Sequence, residues 1–155
     1  YGFDVAGWSR NTKHLNGVTC YAGAQQLEPF LNRTDALCCL LPLTPDTLGI
    51  LNHKNLSKLP NGAVVINAGR GEHLMAYDLI QLLDENHLRG AVLDVYQQEP
   101  LPVAHPLWQH PRVMMTPHSS AQSEYEPCVK SIGNTLQAIA NNQAPSGLVD
   151  RSQGY

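Results

Sequence analysis

Charge is scarce in this sequence. Ten Lys and Arg stand against thirteen Asp and Glu, 15% of 155 residues with a net charge of −3, where an average soluble domain carries roughly 25% charged residues. No basic cluster follows the pattern that tracks a phosphate backbone, so nucleic acid is not an expected partner. Long apolar runs are missing too. The longest, Ala36-Leu37-Cys38-Cys39-Leu40-Leu41, has the length of one buried strand, far below the roughly 18 residues of a membrane span, so no membrane partner is expected. The four cysteines, Cys20, Cys38, Cys39 and Cys128, form no C-x-x-C pair. The seven histidines form no H-x-x-x-H pair. Neither a disulfide framework nor a metal site is expected, and the setting is reducing and cytoplasmic. The opening Tyr1-Gly2-Phe3-Asp4 has no basic flank and no apolar region, so it does not read as a signal peptide. It also lacks Met, as a chain beginning inside a longer protein would.

With 43% apolar residues, the chain can bury roughly two-thirds of its unfolded surface, enough for one domain or part of a larger one. Short apolar runs alternate with segments of helical period. Strands are expected at residues 3–8, 17–21, 36–41, 63–67, 91–95 and 112–116. Leu27, Phe30 and Leu31 mark a short helix, and residues 55–59 allow another. Met75, Leu79, Leu82 and Leu83 fall on one buried helical stripe, ended by Gly90 as a left-handed cap. A last helix is expected from Ser123-Glu124-Tyr125-Glu126, spaced as a capping box, with Tyr125, Val129, Ile132, Leu136 and Ile139 along its apolar face. Apolar strands separated by helices argue for an α/β fold with a parallel sheet covered on both faces. Ligands of such sheets sit at the carboxyl ends of the strands. Arg10, Pro42, Arg70, Asp94, Glu99 and His118 all follow strands.

The dinucleotide fingerprint G-x-G-x-x-G is absent, because Leu74 stands where Gly69-Arg70-Gly71 would need its third glycine. The expected fold is therefore a partial Rossmann-type doubly wound parallel sheet, entered at its second strand, with the first strand and glycine loop missing. Residues 1–120 would form this partial dinucleotide-binding domain. Residues 121–155 would form a helix and tail returning to a substrate domain whose body is absent.

Three loops carry chemistry. Asn67-Ala68-Gly69-Arg70-Gly71 sets an arginine between glycines, where the backbone can approach a ligand and the guanidinium fork matches a carboxylate. Gln98-Glu99-Pro100 pins an acid before a proline. Thr116-Pro117-His118 places a histidine after an apolar strand. Singly, each has a plainer reading: a helix-start arginine paired with a surface acid, a solvated loop acid, a satisfied loop histidine.

In this order and at these spacings, Arg70, Glu99 and His118 resemble the triad of the D-2-hydroxyacid dehydrogenases. The resemblance extends through Leu41-Pro42-Leu43-Thr44, Ile66-Asn67-Ala68-Gly69-Arg70-Gly71, Gly90-Ala91-Val92-Leu93-Asp94-Val95 and Gln98-Glu99-Pro100-Leu101. Gly7-Trp8-Ser9-Arg10 and the ending Val149-Asp150-Arg151-Ser152-Gln153-Gly154-Tyr155 are similar to the NADP-dependent glyoxylate/hydroxypyruvate reductase branch. The resemblance implies reduction of a small 2-keto acid by a nicotinamide hydride, in a homodimer. Arg70 would clamp the substrate carboxylate. His118 would donate the proton, a task that suits an ordinary imidazole pKa near 6.5. Glu99 would favour the imidazolium and orient it. The implied cofactor-binding residues are Trp8, Ser9, Arg10, Leu41, Pro42, Thr47, Ala68, Gly69, Arg70, Asp94, His118 and Ser120. NAD-specific folds place an acid after the second strand to hold the ribose 2′-hydroxyl. Ser9-Arg10-Asn11-Thr12-Lys13 has none, and a hydroxyl beside a cation suits a 2′-phosphate, so NADP(H) is the expected cofactor.

The resemblance leaves two other activities open: a non-catalytic dinucleotide-sensing corepressor, and an NAD-linked phosphoglycerate or formate dehydrogenase. The sequence departs from the family in two places. Ser119-Ser120-Ala121 replaces an aliphatic and small run, which bears on how apolar the nicotinamide pocket is. Met75 replaces an acid, which should weaken the amino-terminal cap of the following helix.

Overall fold

A computed structural model describes residues 2–121 and 123–149. Among the described residues, six short strands, all parallel to their neighbours, form two separate sheets. β1 (Ala6–Ser9) pairs with β2 (Thr19–Ala22). β3 (Ala36–Cys39), β4 (Ala63–Asn67), β5 (Leu88–Leu93) and β6 (Val113–Met115) pair in sequence order. The β-branched run Val64-Val65-Ile66 fits a pleated, half-buried surface, and β4 occupies the expected span. Each crossover passes through helix or turn: α1 (Leu27–Asn32), α2 (His53–Leu56) and α3 (Ala76–Asp84). The core lies under one face of the four-stranded sheet. Leu56, Leu79 and Leu83 from the helices are wholly buried there with Val65, Leu88 and Leu93 from the strands.

β1 and β3 each present one edge that no described strand pairs. Between them lies a cleft of about 910 Å³, lined by Gly7, Trp8 and Ser9 on one side and Leu37, Cys38 and Cys39 on the other.

Several expectations need correction. The first strand begins at Ala6 rather than residue 3; Phe3 is 81% exposed, so an apolar residue did not mean a paired one. β3 stops at Cys39, leaving Leu40 exposed. α2 starts two residues early because the Asn52 side chain accepts the N–H of Asn55 at 3.1 Å, a side-chain cap. Gly90 is not a helix cap. It pairs with Val64 inside β5, and Asn86, with φ 60°, supplies the left-handed residue after α3. β5 therefore starts at Leu88 instead of residue 91, and β6 is trimmed at both ends. Met75 lies outside the buried stripe: it is the N-cap of α3, exposed, with no side-chain cap bond. That missing bond is the weak cap expected from the departure at this position.

Among the described residues, the expected cover on both faces is complete on one: the second face is half-buried along β4 and exposed along β3. In β3 Leu37 and Cys39 are buried while Ala36 and Cys38 are exposed. The last helix, α4 (Tyr125–Ala140), starts after Glu124 with no side-chain cap, so the expected capping box is not formed. Its apolar stripe of Tyr125, Val129, Ile132, Leu136 and Ile139 is exposed throughout. The tail residues 150–155 lie outside the described residues.

Candidate active site

The chemistry-bearing loops leave adjacent strands at their carboxyl ends. Asn67, the last residue of β4, is fully buried and works as a pivot. Its side-chain oxygen accepts the N–H of Gly69 at 3.2 Å, and its amide nitrogen donates to the carbonyl of Arg70 at 3.0 Å. The side chain thus folds the Gly69-Arg70 loop back over the strand end. Gly71 follows because nothing larger fits. A Cβ there would lie 1.9 Å from the carbonyl carbon of Tyr96, so the loop after β4 rests directly on the backbone after β5. Arg70 is exposed, and its guanidinium donates to the carbonyl of Gly69 at 2.8 Å.

After β5 the chain places Asp94, Tyr96 and Glu99. The buried carboxylate of Asp94 accepts from the Thr116 hydroxyl, from the N–H groups of Ser119 (2.9 Å) and Ser120 (3.0 Å), and from the Ser120 hydroxyl (2.7 Å). These bonds, that of Thr116 foremost and that of the Ser120 hydroxyl next, hold Asp94 well below the usual carboxylate range. Its partners lie on both sides of His118, which is locked at φ 53°. A left-handed histidine costs on the order of 1–3 kcal/mol and persists only where its surroundings impose it. Asp94, expected as a cofactor ligand, here spends its carboxylate on shaping the His118 loop. Ser120, likewise expected at the cofactor, donates its hydroxyl to Asp94.

Glu99 and His118 meet. His118 Nδ1 donates to Glu99 Oε2 at 2.8 Å, and the other oxygen, Oε1, accepts the N–H of Tyr96 at 3.0 Å. The His118 bond comes first and the Tyr96 bond second in lowering the Glu99 carboxyl below its ordinary value. With Nδ1 engaged, Nε2 is the ring nitrogen left to face a reactant. Two of the three triad members are thus in direct contact. Arg70 stands apart on the neighbouring loop, and among the described residues its guanidinium bonds to the Gly69 carbonyl rather than to either of them.

The remaining expected residues sort into two places. Trp8, Ser9, Arg10, Leu41, Pro42 and Thr47 all line the cleft beside β1. Within it, the Trp8 indole donates to the carbonyl of Gly23 at 2.8 Å, and the Thr47 hydroxyl donates to that of Pro42 at 2.7 Å. Arg10 faces Asp46 at 3.5 Å. Ala68 and Gly69 belong to the Arg70 loop, where the N–H of Ala68 donates to Cys39 at 3.2 Å. Three residues with structural duties were not singled out from sequence. Thr116 and Tyr96 tie the strand ends together: the Tyr96 hydroxyl lies within hydrogen-bond distance of the carbonyls of Leu93 and Thr116, at 2.9 and 2.8 Å. The third, His73, is fully buried behind Arg70; its position three residues after the arginine was the available signal.

Known proteins place this geometry. The family model for the D-isomer specific 2-hydroxyacid dehydrogenase, NAD binding domain, matches residues 1–120. Glyoxylate/hydroxypyruvate reductase A of Salmonella paratyphi B is 44% identical over 155 residues, which is 100% of this chain and 50% of that protein. The chain thus spans about half the length of the curated relatives it matches. Among solved structures, a D-isomer specific 2-hydroxyacid dehydrogenase from Xanthobacter autotrophicus, in complex with NADPH and MES, superposes with a TM-score of 0.96 at 39% identity, over 99% of this chain and 64% of that one. The NADPH-dependent glyoxylate/hydroxypyruvate reductase of Sinorhizobium meliloti, in complex with NADP and sulfate, gives a TM-score of 0.92 at 39% identity, over 99% and 50%. The parallel strands, their loops and the matched model agree: this chain belongs to the D-isomer specific 2-hydroxyacid dehydrogenase family and carries a partial form of its NAD-binding domain.

Proposed function

We propose that the whole protein to which this chain belongs reduces small 2-keto acids, glyoxylate and hydroxypyruvate among them, to 2-hydroxy acids with NADPH. The observation that carries the reading is the Glu99–His118 pair, 2.8 Å apart on a loop that Asp94 grips from both sides. Similarity to glyoxylate/hydroxypyruvate reductase A supports the substrate class.

NADPH, when bound, supplies the hydride. The residues after β1 fit its 2′-phosphate. Ser9 and Arg10 line the cleft with no acid from residue 9 to residue 13, and Arg10 already receives an anion, the carboxylate of Asp46. Arg70 binds the substrate carboxylate through its guanidinium fork and fixes the keto carbon in one orientation. His118 holds a proton on Nε2 and gives it to the carbonyl oxygen as negative charge grows there. Glu99 accepts from Nδ1, orients the ring and favours its protonated form. Trp8, Leu41, Pro42, Thr47, Ala68 and Gly69 shape the dinucleotide's path, and Asp94 and Ser120 hold the wall on which His118 stands.

Residues 1–120 form the dinucleotide-binding part. Residues 121–155 reach towards the substrate domain, with the exposed stripe of α4 as the surface that packs there. The functional unit is a cytoplasmic homodimer. The 155 residues alone contain no glycine-rich phosphate cradle and should be catalytically silent. The test is NADPH oxidation, followed by absorbance, by the full-length protein given glyoxylate. Turnover with NADPH well above that with NADH supports the reading. Turnover only with NADH, or none with any 2-keto acid, rejects it.

A further inference from the structure

His73 is fully buried at the end of a one-turn 3-10 helix, Gly71–His73. Both of its ring nitrogens are engaged, by different loops. Nδ1 accepts the backbone N–H of Arg70 at 3.1 Å and lies 3.7 Å from Cys39 Sγ. Nε2 faces the carbonyl oxygen of Pro42 at 3.3 Å, the same oxygen that the Thr47 hydroxyl reaches at 2.7 Å. An N–H arriving at Nδ1 needs a lone pair there, and a carbonyl opposite Nε2 needs a proton there. The ring is therefore neutral, with its hydrogen on Nε2. Its own backbone is held as well, the carbonyl accepting from Leu51 at 2.8 Å and the N–H donating to Arg70 at 3.2 Å. Gly69 makes room for the ring: a Cβ at that position would stand 3.1 Å from Nδ1.

We propose that His73 is a positioning residue that ties the Pro42 loop after β3 to the Arg70 loop after β4. The inference rests on the reading in which Pro42 lines the dinucleotide path and Arg70 holds the keto acid. The imidazole touches neither ligand. It sets the distance between the two loops that do, so each nitrogen governs a different binding event. Loss of the acceptor at Nδ1 frees the Arg70 backbone and loosens the carboxylate clamp. Loss of the donor at Nε2 frees Pro42 and loosens the dinucleotide wall.

Two substitutions separate these effects in the full-length protein. Asn at 73 offers an acceptor near Nδ1 but does not reach Pro42; Gln reaches Pro42 with an N–H but leaves Arg70 without its acceptor. His73→Asn should raise the NADPH Kd about tenfold and leave the glyoxylate KM within about twofold. His73→Gln should do the reverse. Equal losses of both constants in both variants, or no change in either, would overturn the proposal in favour of a purely structural histidine. A second reading needs no turnover. Long-range proton–nitrogen NMR of the unsubstituted protein should show His73 as the neutral Nε2–H tautomer, and His73→Gln should speed hydrogen exchange at the Arg70 amide about tenfold over His73→Asn. A protonated Nδ1, or equal exchange in the two variants, overturns the bridge. If the bridge signals appear in a protein that turns over no 2-keto acid, the functional reading fails and the bridge stands.

Discussion

In the four-stranded sheet, Val65, Leu88 and Leu93 are wholly buried, and the carboxyl ends of β4, β5 and β6 are bonded together: the Asp94 N–H donates to the Asn67 carbonyl, the Tyr96 hydroxyl reaches the Thr116 carbonyl, and the Asp94 carboxylate accepts from Ser119. In the β1–β2 pair no residue is fully buried, and β1 turns its free edge to a cleft of about 910 Å³. Both regions belong to one domain type, yet they differ in how much of their own structure they contain. Where hydride chemistry is proposed, side-chain directions are set by bonds within the chain, so that region is preorganised. Where the cofactor's phosphate is proposed to bind, selectivity rests on two residues at the tip of a sparsely supported strand. Rate and selectivity should therefore respond to different mutations.

The largest expected effect is on rate. His118→Ala in the full-length protein removes the proton donor and should lower kcat for glyoxylate about 10²- to 10⁴-fold, as read from NADPH oxidation. A variant that turns over like its parent would put the proton donor elsewhere.

Next comes stability. Leu83 is wholly buried against the four-stranded sheet, whereas Leu40 beyond β3 is 71% exposed. Leu83→Ala should cost about 2–5 kcal/mol, and Leu40→Ala less than about 0.5 kcal/mol, both measured by denaturant unfolding of the full-length protein. A large loss at Leu40 would mean that this face is covered in the whole molecule, which would sharpen the contrast between the regions.

Selectivity follows. Arg10→Ala should weaken NADPH about ten- to a hundredfold while NADH hardly changes, because one charge-assisted contact is lost. Equal weakening of both dinucleotides would make Arg10 a structural residue and break the division of labour.

The smallest effect is a displacement along the pH axis. Glu99 is held anionic by its bond to His118, and an anion at Nδ1 favours the imidazolium. Glu99→Gln removes that charge, and the alkaline limb of kcat/KM for reduction should move to lower pH. An unmoved limb would reduce Glu99 to a loop acid.

The legibility of these features in the sequence follows their physics. β4 is correct to the residue because a β-branched run bounded by Gly62 and Gly69 admits few alternatives. The stripe Leu79, Leu82 and Leu83 holds because helical period and burial coincide there. Met75 and Gly90 fail for a shared reason: apolar character and glycine are both compatible with several structures, and tertiary pairing decides. Gly90 was drawn into β5 by Val64, and Asn86 took the left-handed role. Apolar strands argue for cover on both sheet faces, but apolarity does not report how complete that cover is: the second face is half-buried along β4 and exposed along β3. In the site, Glu99 and His118 were found through their order and spacing. Their contact is real. Asp94 stands out for its place after a strand, but its four bonds come from Thr116, Ser119 and Ser120, 22 to 26 positions away, which no local pattern reveals. His73 carries a local signal, three residues after Arg70, but its contact with Pro42, 31 positions away, leaves no trace in the local pattern.

The most direct test measures two constants on two variants of the full-length protein: the NADPH Kd by fluorescence titration and the rate of a single turnover with saturating NADPH and glyoxylate by rapid mixing. The account predicts a crossover. His118→Ala binds NADPH as the parent does and reacts at least about a hundredfold more slowly, while Arg10→Ala binds at least about tenfold more weakly and, once saturated, reacts at the parent rate. If both variants lose affinity and rate in parallel, the two regions do not carry separate functions and the central claim is wrong.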